Sequence, residues 1–379
     1  METFSEESIR YNRKILKCIY KKREYLMKIA IITINDTINY GNRLQNYAIQ
    51  ALLNNLNVNN STIVNSPILN NREKYILRFL KFFGKNYFDT YDSNIFRKKA
   101  FNEFNNLINF TKKKYTIFSK FSFDSIIVGS DQVWNPKFGR LSDFDLLNFK
   151  IENKIAFSAS FGINELPSSI DRKKLLDCFN NFNRISVRED SGKKILEDLG
   201  YKGDISVLID PTMLLTADEW DRVSKKPKML KNDKYILNYF LGTLSEKRKK
   251  EIDRIAKENN CEVIDILDNN SPFYACGPSE FLYLEKHAFL ICTDSFHSSV
   301  FAVIYNRPFI IFNREQENVV SMNSRLDTLI TKLKLENREY NEICITEENM
   351  NHDYTEAYNQ LKIEKEKSIS FLKNTITGR

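Results

Sequence analysis

No apolar run in this chain of 379 residues is long enough to cross a membrane. Runs such as residues 29–34 and 309–312 fall far short of the ~18 residues that a spanning helix requires. The amino terminus is charged and lacks an apolar stretch followed by a small-residue cleavage site, so no secretory signal is expected. These absences predict a cytoplasmic protein. Histidine is scarce, with three in the whole chain, and the six cysteines at 18, 178, 261, 276, 292 and 344 form no Cys-x-x-Cys pair. No zinc-ligand spacing can be assembled from them, no metal is expected, and the cysteines read as buried free thiols. The Gly-x-Gly-x-x-Gly fingerprint of dinucleotide-binding folds is also missing.

What is present is a globular composition, with 42% hydrophobic and 13% aromatic residues. At ~150 residues per domain the length suggests two or three domains. The net charge of +8 suits an acidic ligand or an anionic membrane face. No nucleic-acid-binding module is recognisable, and no nucleic acid partner is expected.

Residues 1–27 read as a basic helical extension, with Ile15, Leu16, Ile19 and Tyr20 on one side and six lysines and arginines between positions 10 and 22. Such a helix either attaches to an anionic membrane surface or is a solvated face. From residue 28 the pattern is α/β. Residues 29–34 form a strand, 35–42 a polar loop and 44–56 a helix, followed by an aromatic and basic insertion over about 72–120 that reads as helical. Further strands at 125–128, 154–158 and 184–187 predict a parallel sheet with ligands at the carboxyl ends of its strands. A domain boundary falls near 220. A second α/β series runs over 221–345, and residues 346–379 read as a polar helical tail. The expected fold is two Rossmann-like domains facing a cleft, the GT-B-like architecture.

The stretch richest in chemistry is Thr293-Asp294-Ser295-Phe296-His297-Ser298-Ser299, between a strand and a helix. Asp294 or Ser295 suits the N-cap, and the first-turn amides with the Ser298 and Ser299 hydroxyls could bind phosphate. His297 could give that anion a hydrogen bond or a proton, or could be a structural histidine. Asp131, after Gly129 at a strand end, suits either a base facing the cleft or a turn cap. Trp134 suits either sugar stacking or core packing. Asn39, Asn42, Arg43 and Gln45 border the first strand–helix loop, where hydroxyl recognition is at home, although Arg43 would serve equally as a surface charge. Arg307 and Arg325 read as ligand contacts or ion-pair partners.

These segments resemble the polysaccharide pyruvyl transferase family. The likeness rests on Asn39-Tyr40-Gly41-Asn42-Arg43-Leu44-Gln45-Asn46-Tyr47-Ala48, on Gly129-Ser130-Asp131-Gln132-Val133-Trp134-Asn135, and on Ser186-Val187-Arg188-Glu189-Asp190. Asp210-Pro211-Thr212, Thr293-Asp294-Ser295-Phe296-His297, Asn306-Arg307-Pro308-Phe309 and Ser324-Arg325-Leu326 complete it, in this order, over about residues 28–335. The resemblance implies phosphoenolpyruvate as donor and a sugar diol of a cell-surface polysaccharide or lipid-linked precursor as acceptor, joined as a pyruvate ketal without a cofactor. A lipid-linked acceptor would bring the protein to the inner face of the cytoplasmic membrane. The first domain would hold the acceptor, through Asn39, Asn42, Arg43, Gln45, Ser130, Asp131, Gln132 and Trp134. The second would hold the donor, through Asp294, Ser295, His297, Ser298, Ser299, Arg307 and Arg325, with Arg188 clamping it. His297, Asp131 and Arg188 are the catalytic candidates. Many relatives carry arginine two positions before the histidine, where this chain has Ser295. Arg188, Arg307, Arg314 or Arg325 would have to supply the missing charge. The competing expectations are a nucleotide-sugar glycosyltransferase of the same architecture and a non-catalytic binding protein.

Overall fold

The computed structural model describes residues 27–35, 38–65, 91–314, 324–350 and 353–377. Residues 1–26 of the basic extension and the insertion up to residue 90 lie outside the described residues. Seven parallel strands form the first sheet: β1 (Lys28–Ile32), β2 (Asn59–Asn65), β3 (Phe110–Tyr115), β4 (Ser125–Val128), β5 (Asn153–Ala159), β6 (Arg184–Val187) and β7 (Ile205–Val207). They lie in the order β3-β2-β1-β4-β5-β6-β7. Four parallel strands form the second sheet: β8 (Tyr235–Tyr239), β9 (Glu262–Asp265), β10 (Leu290–Thr293) and β11 (Phe309–Ile311), in the order β11-β10-β8-β9. Strand order reverses at β1/β4 in the first sheet and at β8/β10 in the second. The connections diverge at these points and leave a crevice past the carboxyl ends of the strands. The two crevices face each other, so the architecture is the expected pair of Rossmann-like domains of GT-B-like type.

Central strands are apolar because both of their faces are covered. β4 and β10 are buried along their whole length. β2 is the exception, with the polar sequence NNSTIVN. Its buried polar groups are matched by helix α1 (Tyr40–Asn55): Gln50 donates to the Thr62 hydroxyl at 2.8 Å, and Asn60 donates to Asn54 Oδ1 at 2.8 Å. The helical reading of the insertion holds over α2 (Tyr91–Asn105) but not over β3, which is an edge strand of sequence FTKKKY. Its lysines are exposed, a charge pattern that discourages further strand addition at the sheet edge.

The strands are connected by α3 (Arg172–Phe179), α4 (Asp190–Asp198), α5 (Ala217–Asp221), α6 (Glu246–Glu258), α7 (Pro278–His287) and α8 (Phe296–Ile304), and α9 (Ser324–Leu333) and the short α10 (Glu347–Met350) follow β11. The last helix, α11 (Thr355–Thr377), is not simply polar. Ala357, Leu361 and Leu372 are buried on one face, and the Phe371 ring stacks on Phe157 of β5 at 6.0 Å. Lys332 of α9 is paired with Glu364 at 2.9 Å, so α11 returns from the second domain and ties it to the first. An apolar seam joins the domains directly. Tyr40 of α1 stacks on Phe281 of α7 at 4.5 Å, its hydroxyl donates to the Cys276 carbonyl, and Arg97 of α2 donates to that hydroxyl at 2.9 Å. Each large side chain buried here contributes ~1.5–3 kcal/mol. No described helix is long and apolar enough to cross a membrane.

Candidate functional site

The turn from β10 into α8 projects into the crevice. Ser295 occupies the N-cap position of α8 without a side-chain capping bond, and its side chain is hydrogen-bonded to that of Tyr239. Asp294 turns back into its own domain. It accepts from the Leu241 and Gly242 amides at 2.7 Å each and from Arg314 Nε at 2.9 Å, which fixes the loop after β8. Ser298 donates to Glu285 at 2.6 Å and Ser299 to the Ser295 carbonyl at 3.1 Å, and both are fully buried. The expectation that these two hydroxyls and Asp294 meet a donor phosphate is therefore corrected: each already has a partner inside the second domain. His297 does face the cavity. Its Nε2 lies 3.9 Å from Asp210 Oδ2 and has no hydrogen-bond partner.

From the first domain, the turn after β4 brings Asp131 opposite His297. Asp131 has φ of 66°, a left-handed conformation that costs a non-glycine residue ~1 kcal/mol or more and that packed surroundings must impose. Its carboxylate accepts from Asn42 Nδ2, from the Gln132 amide at 2.8 Å and from Arg188 at 3.3 Å. Behind it, Asp210 collects Arg188 at 2.6 Å, the Ser130 hydroxyl at 2.6 Å, and the Thr212 amide and hydroxyl at 3.0 and 2.7 Å. Arg188 is thus held between two carboxylates, with its guanidinium 4.6 Å from the centre of the Phe296 ring. It does not line the cavity. The expected donor clamp is instead the cation that organises Asp131.

The charges set one another's proton affinity. Burial would push both carboxyls up, but Arg188 and then His297 outweigh it; Asp131 is held below the ordinary carboxylate range and Asp210 at about 2. For His297, burial wins over Asp210 and Asp131, so the imidazole titrates below its ordinary value. Arg325 is pushed down to about 10 by burial and by Arg188.

The cavity between the domains measures about 510 Å³. Asn39, Asn42, Asp131 and Gln132 line its first-domain wall; Ser295 and His297 line the opposite one. Among the described residues, three arginines line it, Arg140, Arg314 and Arg325. Gln132, with its amide oxygen turned to Arg325, accepts from both terminal nitrogens at 2.9 and 2.7 Å. Of the four arginines expected to supply the charge missing at 295, Arg314 and Arg325 line the cavity and Arg188 and Arg307 do not. Gln45 donates to Thr33 Oγ1 within the first domain, Arg43 and Ser130 are buried behind the lining, and none of the three reaches the cavity. Trp134 is core. It is fully buried against Phe161 and Phe179, and its Nε1 donates to the Asp145 carbonyl at 3.1 Å. Sequence reasoning missed Arg140, Phe138, Ile38, Tyr239 and Leu241. Tyr239 and Leu241 lie at the carboxyl end of β8, which strand order would have flagged.

A family model described as polysaccharide pyruvyl transferase matches residues 39–316. No curated protein matches the chain. Among solved structures, the chain is similar to UDP-GlcNAc 2-epimerase from Methanocaldococcus jannaschii, at 16% identity and a TM-score of 0.43, covering 89% of this chain and 93% of that one. It is also similar to the Neisseria meningitidis UDP-GlcNAc 2-epimerase, at 10% identity and a TM-score of 0.46 (93% and 100% covered). Acinetobacter baumannii MurG matches at 10% identity and a TM-score of 0.37 (93% and 100% covered). The family match runs from the N-cap of α1, through Asp131 and Arg188, to His297 and Arg314, and the chain belongs to the polysaccharide pyruvyl transferase family.

Proposed function

We propose that this protein transfers the pyruvyl group of phosphoenolpyruvate to a sugar diol of a cell-surface polysaccharide or glycolipid precursor, forming a pyruvate ketal. The observation that carries the reading is a cavity lined by Arg140, Arg314 and Arg325 together with His297, whose Nε2 is unpartnered, and with the Asp131 carboxylate, which is held below its ordinary range. A cavity of about 510 Å³ lies within the range of small-ligand sites. Guanidiniums suit the carboxylate and phosphate of such a donor because they bind both oxyanions in a bidentate way.

With the site empty, burial lowers the proton affinity of His297. A bound phosphate dianion raises its proton affinity, and the imidazolium then protonates the methylene carbon of the donor. The adjacent carbon becomes oxocarbenium-like. A sugar hydroxyl adds there, and its proton passes to Asp131. Cleavage of the bond between this carbon and the bridging oxygen of the ester releases phosphate, which keeps the bonding pair. The second hydroxyl closes the ketal, and its proton leaves with the phosphate. A lipid-linked acceptor would place the protein at the inner face of the cytoplasmic membrane.

The test is incubation with phosphoenolpyruvate and lipid-linked sugars. Phosphate release matched by a product heavier by one pyruvylidene group supports the reading. Release of nucleotide from a nucleotide sugar would replace it with glycosyl transfer, and absence of turnover with either donor would leave a binding protein.

A further inference from the structure

The turn that continues the Asp131 segment carries an aromatic ring which the fold holds in water. Residues Pro136–Phe138 form one turn of 3-10 helix, whose amide end is capped by the Asn135 side chain accepting from the Lys137 amide at 2.9 Å. Gly139 follows with φ of 67°, and its amide returns to the Pro136 carbonyl at 3.1 Å. The Arg140 amide bonds the Asn135 carbonyl at 3.3 Å, and its guanidinium is 3.6 Å from Asp145. The loop is thus pinned on both sides of Phe138, yet the ring remains 55% exposed at the cavity wall. Two further large apolar side chains on that wall are also exposed, Ile38 at 38% and Leu241 at 47%, the latter from the other domain.

Small-ligand sites are cavities lined by apolar side chains together with a few polar groups that fix orientation. This one is two-sided: an apolar mouth in front, and behind it the Asn39 and Asn42 amides and the Asp131 carboxylate. A pyranose has the matching character, with an apolar C–H face and a hydroxyl edge. A lipid tail does not match, because Arg140 and Arg314 line the same cavity. Trp134, the other aromatic of the segment, is sealed in the core.

We propose that Phe138 is the platform on which the acceptor sugar stacks, with Ile38 and Leu241 closing around the ring so that its hydroxyls point to Asp131. The assignment rests on the pyruvyl-transfer reading for the identity of the acceptor.

Two variants test it. Phe138→Ala is expected to raise the acceptor KM about tenfold, the factor equivalent to ~1.4 kcal/mol. The KM for phosphoenolpyruvate and the kcat at saturating acceptor should stay within about twofold. Phe138→Trp should restore the acceptor KM and also reports binding by itself. Both native tryptophans, Trp134 and Trp220, are fully buried, so the added indole is the exposed emitter. Methyl glucoside, galactoside or mannoside should quench or blue-shift that emission without any donor, whereas the open-chain polyol galactitol should not. An unchanged acceptor KM in Phe138→Ala overturns the platform and leaves pyruvyl transfer standing. Emission that no methyl glycoside moves also overturns it. Emission moved by a glycoside, with no phosphate released from phosphoenolpyruvate, retains the platform and removes the pyruvyl-transfer reading.

Discussion

The imidazole of His297 rests against the backbone of Gly41 across the cleft. A Cβ on Gly41 would meet Nδ1 at 2.1 Å and Cε1 at 2.3 Å. Gly41 sits in the first turn of α1 and His297 in the first turn of α8, so this contact sets how the two domains meet at the site. The glycine is needed for space and not for an unusual dihedral angle.

Gly41→Ala should therefore displace the imidazole. Kinetics are expected to show a loss of about 100-fold in kcat, the scale of a 1 Å misplacement. Thermal melting should show a cost of ~1–3 kcal/mol from overpacking. Wild-type kcat in this variant would mean that the imidazole position is irrelevant to turnover.

His297→Gln removes the proposed acid and should lower kcat by about 10²–10⁴-fold. It also bears on stability. Because the folded-state imidazole titrates below its ordinary 6.5, the unfolded chain takes up the proton first on acidification. Stability is unaffected by this group above about 6.5 and declines as pH falls from there toward the lower folded value. Melting temperature plotted against pH should be flatter through that window in His297→Gln than in wild type.

Asp210→Asn leaves Arg188 short of its closer carboxylate partner. Breaking a buried pair from one side costs ~3–5 kcal/mol, to be read from denaturant unfolding. In wild type the contribution of Asp210 is present above the ordinary 3.8 and is lost as pH falls through about 2, since its folded value is depressed. Unaltered unfolding of Asp210→Asn would show that Arg188 does not depend on this pair.

Arg325→Gln should weaken phosphoenolpyruvate binding by about 10–100-fold, the worth of one or two charge-assisted hydrogen bonds. Arg307→Gln should leave donor affinity alone, as that side chain is off the cavity wall. Equal effects of the two substitutions on donor titration would contradict the assignment.

Trp134→Phe should cost ~1–3 kcal/mol through the lost hydrogen bond and lost volume. The acceptor KM should not move. A raised acceptor KM without destabilisation would return Trp134 to the sugar site.

The sequence by itself determined the elements whose chemistry is local. Apolar runs marked β1, β4 and β10, and Thr293-Asp294-Ser295-Phe296-His297 marked the start of α8 and its histidine, because burial and helix starts are written in neighbouring residues. β2 and β3 escaped it: their polar residues are satisfied by α1 or placed at a sheet edge, which are facts about distant neighbours. Only the tertiary structure decided which polar side chains meet in the crevice. It committed Arg188 to Asp131 and Asp210, turned Ser298, Ser299 and Trp134 inward, and brought Arg140, Phe138 and Leu241 to the cavity wall. Those choices follow from strand order and from the packing of one domain on the other, which no stretch of adjacent residues encodes.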